Sequence, residues 1–294
     1  MEHWRICRRQ ILSQPPARRW LSAGRWRLTL ACIRHRPFRI EVTAVLHQAD
    51  NARFVALKIS LIDTTKFMQI EIRNLTKLYD QNRGLLPTSF EVKKGELIAV
   101  VGHNGAGKST LLKMLANWIL PDSGQAMIDG VDLGNRTAVV KKVGFVPEVP
   151  NLFDFFTVEY NLKLFAFLFQ TPFLRVEDVL REFNLLPFRK NKIQVLSKGL
   201  KQRVNIGRAL MADPPVLLFD EPTSGLDFEM TKELYRLLNN IHDAGKTILF
   251  TSHRPEEIKS LATRIMVLHE GGLVFDGSPQ QYFQSEVHEN LYAL

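Results

Sequence analysis

Leu97-Ile98-Ala99-Val100-Val101-Gly102-His103-Asn104-Gly105-Ala106-Gly107-Lys108-Ser109-Thr110-Leu111-Leu112-Lys113-Met114-Leu115 carries, in order, an apolar run, a glycine-rich turn and an apolar helix start. That succession is the setting in which G-x-x-x-x-G-K-[ST] means phosphate binding. Glycines let the backbone wrap an anion closely, because a Cβ blocks both the conformation and the approach. The free N–H groups at the start of the following helix then point at the anion. Lys108 adds a point charge for the β- and γ-phosphates, and the Ser109 hydroxyl is a candidate Mg²⁺ ligand. The segment Gly102, Asn104, Gly105, Ala106, Gly107, Lys108, Ser109 and Thr110 is thus predicted to hold a nucleoside triphosphate. On its own it leaves kinases, GTPases and motor ATPases open.

Pro215-Val216-Leu217-Leu218-Phe219-Asp220-Glu221-Pro222-Thr223 narrows the field. Four apolar residues followed by two carboxylates predict a buried strand that delivers charge at its C-terminal end, where ligands gather in open α/β sheets. Asp220 is placed to hold Mg²⁺, directly or through water, and Glu221 to polarise the water that attacks the γ-phosphate.

Between these two lies Leu196-Ser197-Lys198-Gly199-Leu200-Lys201-Gln202-Arg203, which resembles the signature segment of ABC-type ATPases, usually Leu-Ser-Gly-Gly-Gln. The resemblance runs from about Met68 to the C-terminus. Ser224-Gly225-Leu226-Asp227 is similar to the loop that follows the catalytic glutamate in that family. Thr251-Ser252-His253, after an apolar run, is similar to its switch-histidine loop. Tyr79, 23 residues before Gly102, matches the aromatic that stacks on adenine. The resemblance implies that ATP is sandwiched between two copies head to tail. One copy supplies the phosphate loop, Asp220 and Glu221, and the other supplies Ser197 and Gly199. It also implies that His253 senses the γ-phosphate and that Asp227 spans the dimer interface.

Two positions depart from the family pattern. Lys198 replaces the first glycine of the signature, a form resembling prokaryotic ABC ATPases that serve export-type permeases. Glu148 stands where a glutamine usually does. As a carboxylate it either reaches Mg²⁺ or the attacking water, adding negative charge beside Asp220 and Glu221, or points to solvent.

Apolar runs reach only about seven residues, short of the roughly 18–20 that span a bilayer, so the permease is expected to be a separate chain. Residues 149–195 hold nine of the 19 phenylalanines, with helical patterning around Thr157-Val158-Glu159-Tyr160-Asn161-Leu162. In the family this region is a helical subdomain, here about 149–205, whose groove receives a short permease helix. Some of these rings belong to the core, and Phe155 and Phe156 are the candidates for an exposed docking patch.

Residues 1–67 differ in kind: 13 Lys/Arg against four acids account for the whole net charge of +9. Both cysteines, Cys7 and Cys32, lie here, so disulfides are not expected in the catalytic core. No helical or strand period is sustained over the first 40 residues. Three readings compete: a disordered tail or a start placed too early, an Arg-rich targeting peptide, or a basic arm for anionic lipid or nucleic acid.

The expected fold is α/β, a P-loop NTPase of the ABC type. It has a mainly parallel sheet core, an antiparallel β subdomain over 68–101 around the adenine pocket, an inserted helical subdomain, and a terminal hairpin at 271–277. The expected function is the ATP- and Mg²⁺-dependent subunit of a transporter, a homodimer or heterodimer on the cytoplasmic face of the inner membrane, driving export with no nucleic-acid partner. The alternative is a non-transport ABC ATPase acting on nucleic acid or the ribosome. Against it stand the single phosphate loop and a gap of about 88 residues between loop and signature without sustained heptads. A small-molecule kinase accounts for neither residues 196–203 nor residues 224–227. If residues 1–67 are dispensable to the ATPase, their deletion leaves the ATP hydrolysis rate at the full-length value; a large loss assigns them a working role.

Overall fold

In the computed structural model the backbone is described for residues 38–49, 52–63, 68–79 and 83–292, and side chains for 68–79 and 83–289. The chain divides into two units, Met1–Lys66 and Phe67–Leu294. In the first, β1 (Phe38–Ala49) pairs antiparallel with β2 (Ala52–Asp63) in unbroken register from Phe38↔Asp63 to Ala49↔Ala52. The remainder of the basic extension, including Cys7, Cys32 and three tryptophans, lies outside the described residues.

The second unit begins with β3 (Met68–Leu78), β4 (Gly84–Lys93) and β5 (Leu97–Val101), followed by α1 (Lys108–Leu115). Next come β6 (Ser123–Ile128), β7 (Val131–Asp132), the short α2 (Arg136–Val139) and β8 (Val143–Val146). Three helices follow: α3 (Val158–Leu168), α4 (Leu174–Glu182) and α5 (Lys198–Ala209). The chain then alternates through β9 (Val216–Phe219), α6 (Phe228–Asp243), β10 (Thr247–Ser252), α7 (Pro255–Leu261), β11 (Arg264–His269) and β12 (Gly272–Gly277), ending in α8 (Pro279–Phe283) and α9 (Glu286–Tyr292).

The six-stranded sheet has the order β12-β11-β5-β10-β9-β8. All its neighbours are parallel except the β11–β12 edge pair. Strand β5 is buried at every position, as a continuous apolar run requires when both faces of a sheet are covered. The period of two divides its residues between two cores. Leu97, Ala99 and Val101 pack with Leu217, Phe219, Ile248 and Phe250 under α3–α7. Ile98 and Val100 pack with Leu218 and Leu249 beneath α1 and the small antiparallel sheet.

That small sheet has the order β4-β3-β6-β7 and departs from the expected 68–101 in two respects. Strand β5 joins the large sheet, and β6 and β7 complete the small one. Strand β6 is hard to see in sequence because only Ala126 and Ile128 of its six residues are buried. Gly124 within it has φ +85, and a Cβ there would collide with the Asn74 backbone, so a glycine that reads as a breaker instead permits close strand approach. The 271–277 hairpin forms, as β11–β12, but is not terminal. Ser278 and Gln281 make a capping box that starts α8, and Tyr282 is buried in the core.

Helix α3 starts where Thr157 accepts a hydrogen bond from the Tyr160 N–H. Arg189 ties α3 to α4 by bonding Glu159 at 2.9 Å and Glu177 at 2.7 Å. The Arg189 hydrogen bond, with help from Lys163, holds the Glu159 carboxyl down at about 2. Phe250 is fully buried on β10, between β5 and β9. Its replacement by Ala is expected to cost about 3–5 kcal/mol of unfolding free energy, measurable by denaturant titration.

Candidate active site

Strands β5, β9 and β10 end side by side, and the loops that leave them meet at the carboxyl edge of the sheet, where open α/β sheets bind ligands. The loop after β5 exposes His103, Asn104 and Gly105 and buries Ala106, Gly107 and Lys108. Gly105 and Gly107 hold φ of +86 and +96, and a Cβ on Gly107 would lie 2.6 Å from the Gly84 carbonyl oxygen. The sequence need for glycine is therefore steric at Gly107 as well as conformational. Thr110 follows in the first turn of α1, half-buried like Ser109.

The Lys108 ammonium donates to the carbonyl oxygens of Gly102 at 2.7 Å and His103 at 3.1 Å, so the side chain folds back over its own loop. Burial draws its pKa below the ordinary lysine value, opposed by the charges of Glu221, Asp220 and Glu148. Three carboxylates therefore act on this one cation, which favours its charged form.

Asp220, just past β9, is buried, and its Oδ1 accepts from the Ser109 hydroxyl at 2.9 Å and the Thr251 hydroxyl at 2.8 Å. Its own N–H donates to the Val146 carbonyl of β8 at 2.9 Å. Thr251 also receives the Glu221 N–H at 2.8 Å, so one threonine holds both acidic residues. Glu221 adopts φ +47, an uncommon conformation for a residue with a side chain, of the kind that clusters at functional sites. From there its Oε2 lies 3.0 Å from His253 Nδ1. Glu148 is exposed, and its Oε1 accepts from the Ser224 hydroxyl at 3.1 Å.

The structure thus brings Lys108, Ser109, Asp220, Glu221 and His253 to one edge and sets Glu148 beside them. The signature residues occupy another neighbourhood. Ser197 caps α5 by accepting from the Leu200 N–H. Gly199 is packed so tightly against Met230 that a Cβ would clash with its sulfur. A Cβ on Gly225 would meet the Lys198 ammonium, so the residue that replaces the usual glycine lies over the 224–227 loop. Asp227 caps α6 by accepting from the Met230 N–H at 2.8 Å, which starts that helix at Phe228. Tyr79 projects from the end of β3, about half exposed, with Lys77 Nζ 5.9 Å from its ring centroid.

Motif reading misses the part that several residues play in shaping the site. Thr251, quoted only within the switch-histidine match, is one. A polar stripe on α5 is another: Gln202 donates to the Pro222 carbonyl, Asn205 to the Pro147 carbonyl, and Arg208 to those of Phe145 and Asn151. Burial pulls the Arg208 pKa down to about 10. The signal is present in the i, i+3, i+6 spacing of three polar residues, which places them on one helix face. Glu257 of α7 is fully buried and accepts from Thr223 and Ser252.

The family model described as ABC transporter matches residues 85–224. The chain is 35% identical over 210 residues to the ABC transporter ATP-binding protein NatA of Bacillus subtilis (strain 168), covering 69% of this chain and 85% of that one. It is 37% identical over 223 residues to the Nod factor export ATP-binding protein I of Burkholderia orbicola (strain AU 1054), covering 74% and 73%. Among solved structures, the post-hydrolysis dimer of the ATP-binding cassette MJ0796 bound to ADP and Pi superposes with a TM-score of 0.65 at 28% identity, covering 71% of this chain and 98% of that one. Phosphate loop, strand-end carboxylates and relatives together establish that the chain belongs to the ABC transporter family, as an ATP-binding and ATP-hydrolysing subunit.

Proposed function

We propose that this ATPase drives a separate membrane permease, in the direction of export, by closing on ATP as a head-to-tail dimer and reopening after hydrolysis. The observation that carries the site assignment is the hydrogen-bond chain Ser109–Asp220–Thr251–Glu221, with His253 at its end. It presents a hydroxyl and a carboxylate side by side and sets a second carboxylate against an imidazole.

In this reading the 102–107 backbone and Lys108 cradle the phosphates, Thr110 lies at the start of the same helix, and Tyr79 stacks on adenine. Glu221 accepts the proton of the attacking water, and His253 positions that carboxylate while contacting the γ-phosphate. Phosphoryl transfer asks for this kind of positioning and charge stabilisation more than for covalent help. Ser109 and Asp220 fit Mg²⁺. They are hard oxygen donors, and an ion that keeps several waters takes only one or two protein ligands beside the phosphate oxygens. Bound there, Mg²⁺ neutralises charge developing on the phosphates. Glu148 lies at the margin of this group and contributes charge; Ser197, Gly199 and Asp227 serve the partner copy's nucleotide.

No helix among the described residues is long and apolar enough to cross a membrane, and a peripheral position at the cytoplasmic face follows from attachment to the permease. Phe155 is 75% exposed and Phe167 70%, and these rings are the ones offered to a permease helix. A cavity of about 520 Å³ is lined by Trp118, Phe145, Phe165, Phe169 and Arg208. It suits an apolar helix end that also offers an acceptor to Arg208. Phe156, stacked on Tyr160 at 4.3 Å, flanks the surface. The export direction is supported by the Lys198-Gly199 signature and by an export protein among the relatives.

Lys108→Ala is expected to weaken ATP binding about 10- to 100-fold, as loss of a charged hydrogen-bonding group implies, read by fluorescent-nucleotide titration. Glu221→Gln is expected to lower kcat by about 10²- to 10⁴-fold and to accumulate an ATP-bound dimer on size-exclusion chromatography. Hydrolysis at the wild-type rate would remove Glu221 from the role of base.

A further inference from the structure

Behind the Glu221–His253 contact lies a second carboxyl that touches no substrate position. Glu257 has no exposed surface, and its Oε2 accepts from the Thr223 hydroxyl at 3.0 Å and the Ser252 hydroxyl at 2.7 Å. Both donors are themselves buried. Thr223 stands two residues after Glu221, and Ser252 immediately precedes His253. The Ser252 oxygen in turn accepts from the Arg254 N–H at 3.0 Å, which closes the turn around His253.

We propose that Glu257 is a positioning residue for γ-phosphate chemistry: its one carboxyl oxygen locks the loop that carries Glu221 to the loop that carries His253. The inference rests on the reading of Glu221 as base and His253 as its partner.

The physical case has three parts. First, the His253–Glu221 contact is 3.0 Å long, but the His253 side chain is 64% exposed. A contact so open to water on its imidazole side contributes little, and the sealed Glu221 N–H to Thr251 bond anchors the strand ends two residues before His253 rather than the turn that carries it. Hydrogen bonds sealed from water are stronger and more directional. The Glu257 bridge is of that kind, and it spans the same two loops one layer deeper.

Second, Glu257 is a costly residue for its place. Its Oε1 is buried and has no hydrogen-bond partner among the described residues, and a buried polar atom left unpaired is destabilising. A helix whose inward face also carries Ile258 and Leu261 would gain more from an apolar residue and apolar neighbours at 223 and 252. Retaining the carboxyl makes sense if the two hydroxyls must be gripped at one point.

Third, what the bridge requires is an acceptor oxygen, not a charge. Both hydroxyls donate to the same Oε2. Burial raises the Glu257 pKa, with the charge of Glu221 adding to it and Arg254 and the two hydroxyl bonds opposing it. Tyr235 of α6 also faces this carboxyl, and burial together with Glu257 and Glu256 pushes its own pKa up to about 12. A neutral side chain with a carbonyl oxygen at the same reach therefore serves equally.

Three variants of the full chain test this by steady-state ATP hydrolysis, nucleotide-binding titration and thermal melting. Glu257→Leu removes the acceptor and is expected to lower kcat about 10- to 100-fold, the scale on which small misplacements of reacting groups act, while the dissociation constant for ATP stays within about twofold. Glu257→Gln keeps an oxygen at the same reach and is expected to retain most of kcat. Thr223→Val removes one donor at nearly constant volume and is expected to give an intermediate kcat with unchanged ATP affinity. It stands in for the leucine variant should that chain fail to fold. A double Thr223→Val, Glu257→Leu variant should lose no more kcat than Glu257→Leu alone, because both changes cut one bridge.

Wild-type kcat in Thr223→Val or Glu257→Leu overturns the proposal. So does a kcat loss matched by equal losses of ATP affinity and melting temperature, which marks Glu257 as structural only. A glutamine variant as slow as the leucine one overturns it as well, since charge would then be the requirement. Glu221→Gln, measured alongside, separates the two readings. Full activity there fails the base assignment whatever Glu257 does.

Discussion

A carboxylate sealed from water at the end of a strand must be given partners, and Asp220 is that carboxylate. Strand β9 is apolar because it lies in the middle of a covered sheet, so its terminal acid emerges at the boundary between core and solvent. Its carboxylate is met by the hydroxyls of Ser109 on α1 and Thr251 on β10, while its backbone N–H donates to the Val146 carbonyl on β8. Each bond specifies where an element must end. The parallel order β5-β10-β9-β8 places those ends together, and the two-sided core holds them there. Satisfying one buried charge and assembling a phosphate site are here the same arrangement.

Legibility in the sequence follows how local the chemistry is. The phosphate loop and the Asp220–Glu221 strand end are contiguous, and their apolar approaches, Leu97–Val101 and Val216–Phe219, read directly as buried strands. Thr157, whose side chain caps α3, is legible for the same reason. What is hidden depends on partners far along the chain. Strand β6 shows no clean alternation because four of its six residues are exposed, and it becomes a strand by pairing with β3. Thr251 looks like an ordinary β residue until two acids arrive beside it, and Glu257 looks like a solvated helix residue until its face is seen to be the inward one. Glu148 is the mixed case: its motif position is plain, but its bond to Ser224 is a tertiary fact.

Strain and burial are distributed unevenly around this edge of the sheet. Glu221 carries the left-handed backbone and Asp220 the buried charge, whereas His253 faces solvent. The site is therefore rigid on the side of the sheet and open to solvent on the side of His253.

The stripe on α5 has a consequence for the helix that bears it. Apolar packing alone lets a helix roll a few degrees about its axis at little cost, since such contacts are non-directional. Gln202, Asn205 and Arg208 instead bond carbonyls of Pro222, Pro147, Phe145 and Asn151, which belong to two separate stretches of chain. Those bonds set the azimuth of α5, so the compass bearing of Ser197 at its tip is inherited from the stretches flanking Glu148 and Glu221. Displacement of either stretch turns the tip, as a key turns in the hand that holds its bow.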